Sequence, residues 1–137
     1  MKNHILIKSI IVAGAFSLSL IAPNMVKADS LQRLAENLCE YAKTDNRASM
    51  RKKLKGARMK LKAIYPGLIC GSAGSLMRVA VSNDALNAAK FIASKAGKKG
   101  LASVEKDGKT ALQYTEGLVA SGDASKQAFV DVIQAKM

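Results

Sequence analysis

Apolar residues recur every three or four positions between residues 47 and 64, which places them along one stripe of a helix. Most of the Lys and Arg residues of this segment fall on the opposite face, and Pro66-Gly67 ends the run. The spacing therefore predicts an amphipathic helix, whose apolar stripe consists of Met50, Leu54, Ala57, Leu61 and Ile64.

A longer period runs through the rest of the chain. Asp45, Asp84 and Asp123 lie 39 residues apart, and each follows a short polar run that is typical of the junction between two helices. Such an internal period indicates that one supersecondary unit is repeated, with its neighbours stacked to make the core.

Helix starts are indicated by Ser30, Ser75 and Thr110, which precede three apolar runs, and Thr110 with Gln113 fits a capping box. The predicted fold class is all-α: three stacked helix-turn-helix pairs that form a short solenoid. The predicted pairs are 31–44 with 47–64, 76–82 with 85–96, and 111–121 with 124–136.

The N-terminal segment has the three parts of a secretory signal. Lys2 and Lys8 precede thirteen uncharged residues, 10–22, and Val26-Lys27-Ala28 supplies small residues for a signal peptidase. A transmembrane helix is the alternative, but thirteen residues reach only about 20 Å of a ~30 Å hydrocarbon core. We expect a cleavable signal helix at 1–28, a single helical-repeat domain at 29–137, and a periplasmic or secreted location.

Export changes the interpretation of the two cysteines. In an oxidising compartment, an even pair such as Cys39 and Cys70 is first read as a structural disulfide. A redox-active pair is the alternative, although the spacing is far from Cys-x-x-Cys and neither thiol has Lys or Arg immediately beside it.

The positive charge is concentrated in one segment. The chain has 22 Lys and Arg against 10 Asp and Glu, a formal net charge of +12. Eight of these cations lie in residues 47–62, here called the basic segment, and no acidic residue interrupts them. They are Arg47, Arg51, Lys52, Lys53, Lys55, Arg58, Lys60 and Lys62. The segment is either a solvated helix face or a site for an anionic partner.

Several function classes are disfavoured by composition. The one histidine, His4, falls inside the predicted signal, so the mature chain lacks imidazole for Ser-His or Cys-His catalysis and for metal binding. We therefore expect no enzyme activity, no catalytic or metal-binding residue and no cofactor. Nucleic acid is also not expected as a partner, because the basic segment has no interleaved aromatic residue for base stacking.

Two resemblances to known families add to this picture. Residues 107–112, Asp-Gly-Lys-Thr-Ala-Leu, resemble the Asp-Gly-x-Thr-Pro-Leu that opens an ankyrin repeat, and Ser121-Gly122-Asp123 falls where that repeat turns between helices. The ankyrin likeness covers the C-terminal half and departs from the pattern at Ala111 and Gln113. The mature chain also resembles a family of small exported bacterial proteins of unknown function, through Leu38-Cys39-Glu40-Tyr41, Cys70-Gly71 and 75–78.

Two hypotheses of function follow. The first is a non-catalytic interaction module of the bacterial envelope that binds a protein or peptide partner, and the positive charge favours an acidic one. The ankyrin resemblance implies a concave binding face, with Arg78, Lys106, Lys109 and Gln113 as its candidate residues. The second is a cationic envelope protein that docks its basic helix, 47–62, on anionic lipid, polysaccharide or an acidic protein. An anionic membrane surface is thus a possible partner, whereas the oligomeric state is not indicated by the sequence.

Overall fold

The computed structural model describes the backbone of residues 18–137 and the side chains from residue 28 onward. This part of the chain is all-α, as predicted; its only β-type pairing is an isolated bridge between Ile69 and Ser75. Its seven α-helices are α1 (Leu18–Lys43), α2 (Arg47–Gly56), α3 (Leu61–Ile64), α4 (Leu76–Ser82), α5 (Leu86–Leu101), α6 (Ala111–Ala120) and α7 (Gln127–Gln134).

Much of the predicted signal peptide, residues 1–17, lies outside the described residues, so cleavage after Ala28 stays a prediction. Among the helices that are described, none combines the length and the apolar character needed to cross a membrane.

Helix α5 is the centre of the domain. It packs against α2, α3, α4 and α7, while α6 packs against α4 and α7. The second helix of each pair therefore packs against the second helix of the next pair, α2 against α5 and α5 against α7. In the same way, the first helix α4 packs against the first helix α6. Helix α1 contributes Leu34, Leu38 and Ala42 to the common core. The second and third predicted pairs, α4 with α5 and α6 with α7, thus pack on each other.

Each pair turns through one residue with a left-handed backbone. Asp45 has a φ of 56° and Asp84 a φ of 53°, and the amide of the following residue donates to a carbonyl five residues back. This hydrogen bond satisfies a carbonyl that the helix end would otherwise leave free. In the third junction the left-handed residue is Gly122, with a φ of 112°, rather than Asp123. The left-handed residues are therefore 39 positions apart between the first two junctions and 38 positions apart between the last two.

The junction aspartates also join one pair to the next. Asp45 Oδ1 accepts a hydrogen bond of 2.7 Å from the amide of Ala88, near the start of α5. Lys126, only 5% exposed, donates from Nζ to Asp84 Oδ1 at 2.6 Å and to the carbonyl of Val81 at 2.8 Å. A repeated polar contact therefore fixes the register between successive pairs. The sequence spacing finds the two aspartates but not their partners.

The prediction of one continuous basic helix over residues 47–64 is wrong, because the segment forms two helices, α2 and α3. Helix α2 ends at Gly56, Arg58 takes a left-handed φ of 55°, and the chain becomes helical again only at Leu61. A continuous helix would place several like charges three or four residues apart, which destabilises it, and Gly56 is itself a poor helix former.

Two other helix ends differ from the prediction. Ser30 does not start a helix, since α1 runs through it; no glycine or proline lies between residues 24 and 30 to interrupt it. Helix α5 continues past residue 96, but Gly97, with a φ of 81°, introduces a kink where the helix was predicted to stop. The predicted caps at Ser75 and Thr110 are confirmed, and Thr110 with Gln113 forms a capping box.

Cys39 and Cys70 are joined as a disulfide, with Cα atoms 5.7 Å apart. The bond ties the C-terminal half of α1 to the loop that leads into α4. In that loop the amide of Cys70 donates to the carbonyl of Gly74 at 2.7 Å, which closes a tight turn. The structural interpretation of the two cysteines agrees with this geometry.

Close packing at Gly100 gives a stability prediction. A Cβ at this buried glycine of α5 would lie 2.9 Å from Cδ1 of Tyr65. We expect Gly100→Ala to lower the free energy of unfolding by about 1–3 kcal/mol, as overpacking of a core does. Gly117 of α6 is exposed, and a Cβ placed there would have no atom within 4 Å. Gly117→Ala should therefore stabilise by about 0.5–1 kcal/mol through helix propensity.

Thermal or urea unfolding of both variants beside the wild type measures this difference. Equal effects of the two alanines would contradict the packing of α5 against Tyr65.

Candidate functional site: a cationic groove

The break in the basic segment creates a groove. At the end of α2 the amide of Met59 donates to the carbonyl of Leu54 at 3.0 Å, and this turn redirects the chain into α3. A groove of about 500 Å³ lies where this turn and α3 face α5. We call it the cationic groove. A continuous helix would have no such turn to form one of its walls.

The floor of the cationic groove is apolar. Leu54, Leu61 and Phe91 are 6%, 2% and 3% exposed, so they belong mainly to the core. Met59 is half-buried and supplies more of the accessible apolar surface. Its unbranched thioether chain can adapt to different neighbours. The groove therefore offers a small, deformable apolar patch rather than a deep cavity.

The rim carries four cations: Arg51, Lys60, Lys62 and Lys95. The stem of Lys62 passes close to the kink residue Gly97, where an added Cβ would lie 3.4 Å from the Cε atom of Lys62. The ion pairs found in the described residues involve only Arg78 and Lys126 as cations. The rim charges thus have no carboxylate partner in this part of the chain.

The basic residues singled out in the sequence are all exposed: Arg47, Arg51, Lys52, Lys53, Lys55, Arg58, Lys60 and Lys62. Three of them line the groove, and the others lie outside its lining. Sequence reasoning missed Lys95, which α5 adds from the next helix pair. A signal for it exists, because Lys90, Lys95, Lys98 and Lys99 follow one another without an acidic residue between them.

Arg78, a candidate for the concave face, is instead a buried residue at 7% exposure. Its Nη1 and Nη2 donate to the two carboxylate oxygens of Asp107, both at 2.8 Å, and Nε lies 2.9 Å from Glu105 Oε2. The guanidinium also stacks on Tyr114, 4.5 Å from the ring centre. The guanidinium is buried and paired with two carboxylates of the chain, so we no longer expect it to contact a partner.

This cluster of charges shifts the pKa values of its members. The hydrogen bonds from Arg78 lower the pKa of Asp107 to about 2, and those to Asp107 raise the pKa of Arg78. Nearby, burial raises the pKa of Tyr65 to about 12. A carboxylate fixed in its ionised form and a phenol fixed in its neutral form do not suit proton transfer near neutral pH. The cluster is suited to holding the 103–109 loop in place.

The other concave-face candidates differ in availability. Lys106 and Lys109 are exposed, and the carbonyl of Lys109 accepts from Arg78 Nη2 at 2.9 Å. The side chain of Gln113 is used in the capping box, where Oε1 accepts from the amide of Thr110 at 3.0 Å. The two lysine side chains have no partner within the described residues and can meet one from outside. Their role in binding stays a prediction.

No group of three or more His, Cys, Asp or Glu side chains within the described residues is arranged to hold a metal ion.

A protein family of unknown function matches the part of the chain that lines the groove. Residues 38–105 match the family described as Protein of unknown function (DUF3718). This stretch includes both cysteines, the basic segment and α5. Among curated proteins and among solved structures, no match to the chain is found. The likeness to a family of unknown function is therefore supported, and the ankyrin-like character of the repeats stays a prediction.

Proposed function

We propose that this protein is a non-catalytic interaction module that binds an acidic protein or peptide partner through the basic segment. The observation that carries the proposal is the exposure of eight clustered cations without a carboxylate partner in the described residues. Like charges held this close repel one another, so an anionic ligand would relieve the repulsion.

The concave face is a weaker site for the same function. Of its four candidate residues, Arg78 and Gln113 already have partners inside the chain. That leaves Lys106 and Lys109, a much lower density of free charge than on the basic segment. We therefore move the proposed binding site from the ankyrin-like concave face to the basic segment.

The proposal includes an exported protein, periplasmic or secreted, working in the bacterial envelope. The signal-like N-terminal pattern supports this, and a disulfide is compatible with an oxidising compartment. An ankyrin-like stack of helix pairs is part of the same proposal, with the pairs serving as a rigid support for the basic segment.

The test is binding of fluorescent poly-L-glutamate to the oxidised chain 29–137, at low and at physiological salt. The variant changes Lys52, Lys53, Arg58 and Lys60 to Gln. Since an exposed charge contact contributes roughly 0.2–1 kcal/mol, loss of four should weaken binding by on the order of tenfold. Salt should also weaken binding to the wild type, because the Debye length falls to about 10 Å at 0.1 M.

A matched control loses four exposed charges elsewhere: Arg33, Lys106, Lys109 and Lys136 to Gln. Its affinity should stay close to that of the wild type. If both variants lose affinity equally, net charge alone explains binding and the basic segment is not a site. If only the control loses affinity, the concave-face hypothesis returns.

A further inference from the structure

The cationic groove has a chemical character that overall positive charge does not explain. Charge alone needs only a convex basic surface, yet here Arg51, Lys60, Lys62 and Lys95 surround a recessed apolar floor. Those four cations come from two different helix pairs, which converge where the basic segment is broken at residues 57–60. A ligand that matches this pattern is anionic around an apolar centre.

We propose that the cationic groove binds an acidic peptide segment that carries one apolar anchor side chain among its carboxylates. This inference rests on the proposed function and adds the chemistry of the ligand to it. The anchor would contact Met59 and the edges of the buried floor, while its flanking carboxylates reach the rim cations.

A peptide fits this site better than a lipid surface does. Among the described residues, the large apolar side chains that stand exposed are Leu31, Ile69 and Val104, and none of them lines the groove. The site therefore has no apolar side chain that could insert into a bilayer, as interfacial helices require. Its apolar surface is recessed, so the apolar group has to protrude from the ligand.

The character of the floor also favours a single apolar side chain. Three of the four floor residues are at most 6% exposed, so the accessible apolar area is limited. The anchor should therefore improve affinity modestly, while charge supplies the larger part.

The test uses two synthetic peptides of Glu and Gly that differ at one central position, leucine in one and alanine in the other. Fluorescence anisotropy with the oxidised chain 29–137 should show the leucine peptide binding about threefold to tenfold tighter. Ser94 lines the groove and is exposed, so Ser94→Trp fills it without changing charge. In that variant the advantage of leucine should disappear while the alanine peptide still binds.

The outcomes distinguish failure of the anchor proposal from failure of the proposed function. Equal affinity of the two peptides for the wild type overturns the anchor and leaves the basic segment as a purely electrostatic site. Binding of neither peptide overturns the proposed function as well. Vesicles of phosphatidylglycerol and phosphatidylcholine form the third arm; if they bind and displace the leucine peptide, the ligand is a lipid surface and the inference is wrong. The wild-type comparison decides the matter even if Ser94→Trp fails to fold.

Discussion

Removing the disulfide should destabilise the protein strongly. Changing both Cys39 and Cys70 to Ala opens a bond that spans 31 residues of sequence. In the chain-entropy account, a loop of this length gives roughly 3–4 kcal/mol, because the cross-link restricts the unfolded chain. For a domain of about 100 residues this corresponds to a fall in melting temperature on the order of 15 °C. Thermal unfolding followed by circular dichroism measures it.

Without the disulfide, local unfolding should begin around the loop that leads into α4. Cys70 lies there beside the turn closed by the Cys70–Gly74 hydrogen bond, whereas α5 is surrounded by four other helices. Amide exchange should therefore rise in residues 65–75 before it rises in α5. Wild type in reductant is the control and should melt as the double variant does, while the variant itself should not respond to reductant. Equal melting of oxidised and reduced wild type would remove the structural role of the bond.

Local signals in the sequence predicted the repeated unit well. The caps at Ser75 and Thr110 depend on a side chain that bonds to an amide three residues ahead, so the pattern is complete within a few residues. The junction at Asp84 could likewise be placed, because one polar residue tolerates the left-handed turn there. The helix caps and the junction can be predicted because each depends on interactions between residues that are close in the sequence.

The broken basic segment shows where such reasoning fails. Its apolar stripe continues in register across Ala57 to Leu61, so the spacing alone gives no sign of an interruption. Repulsion among the cations and the weak propensity of Gly56 oppose a continuous helix, but neither effect alters the periodicity. The turn through Arg58 then depends on the hydrogen bond from Met59 to Leu54.

The candidate site could be predicted only in part, because some of its residues are brought together by tertiary packing. The cations of residues 47–62 are contiguous, so composition reveals them. Lys95 and Phe91 reach the groove because α5 packs on α2 and α3, a contact between residues that are about thirty or more positions apart. In the sequence Arg78 has the pattern of a free charge, because its partners Glu105 and Asp107 are also remote along the chain.

Truncation of Arg78 is the other large effect that we expect. Arg78→Ala removes a side chain that is 8% exposed and leaves the Glu105 side chain, 12% exposed, without its ion-pair partner. Breaking a buried pair in this way costs about 3–5 kcal/mol, and the value here should lie near 3 because Asp107 is 44% exposed and regains water. The stacking on Tyr114 is lost as well. Chemical denaturation at neutral pH measures the change.

The control is Arg33→Ala, which removes an exposed arginine of α1 and should change stability by about 0.5 kcal/mol or less. If the two alanine variants unfold alike, the Arg78 cluster is not a structural unit.

Acid should reveal the Arg78–Asp107 contact in a second way. Arg78 lowers the pKa of Asp107 from 3.8 to about 2, so the folded state holds the ionised carboxylate more firmly than the unfolded state does. The resulting stability is present above the unfolded pKa and is lost as the pH falls through the interval from 3.8 to about 2. Asp107→Asn should be less stable than the wild type at neutral pH, and the difference should shrink as the pH approaches 2. A difference that does not change with pH over that interval would mean that Arg78 does not stabilise the charge on Asp107.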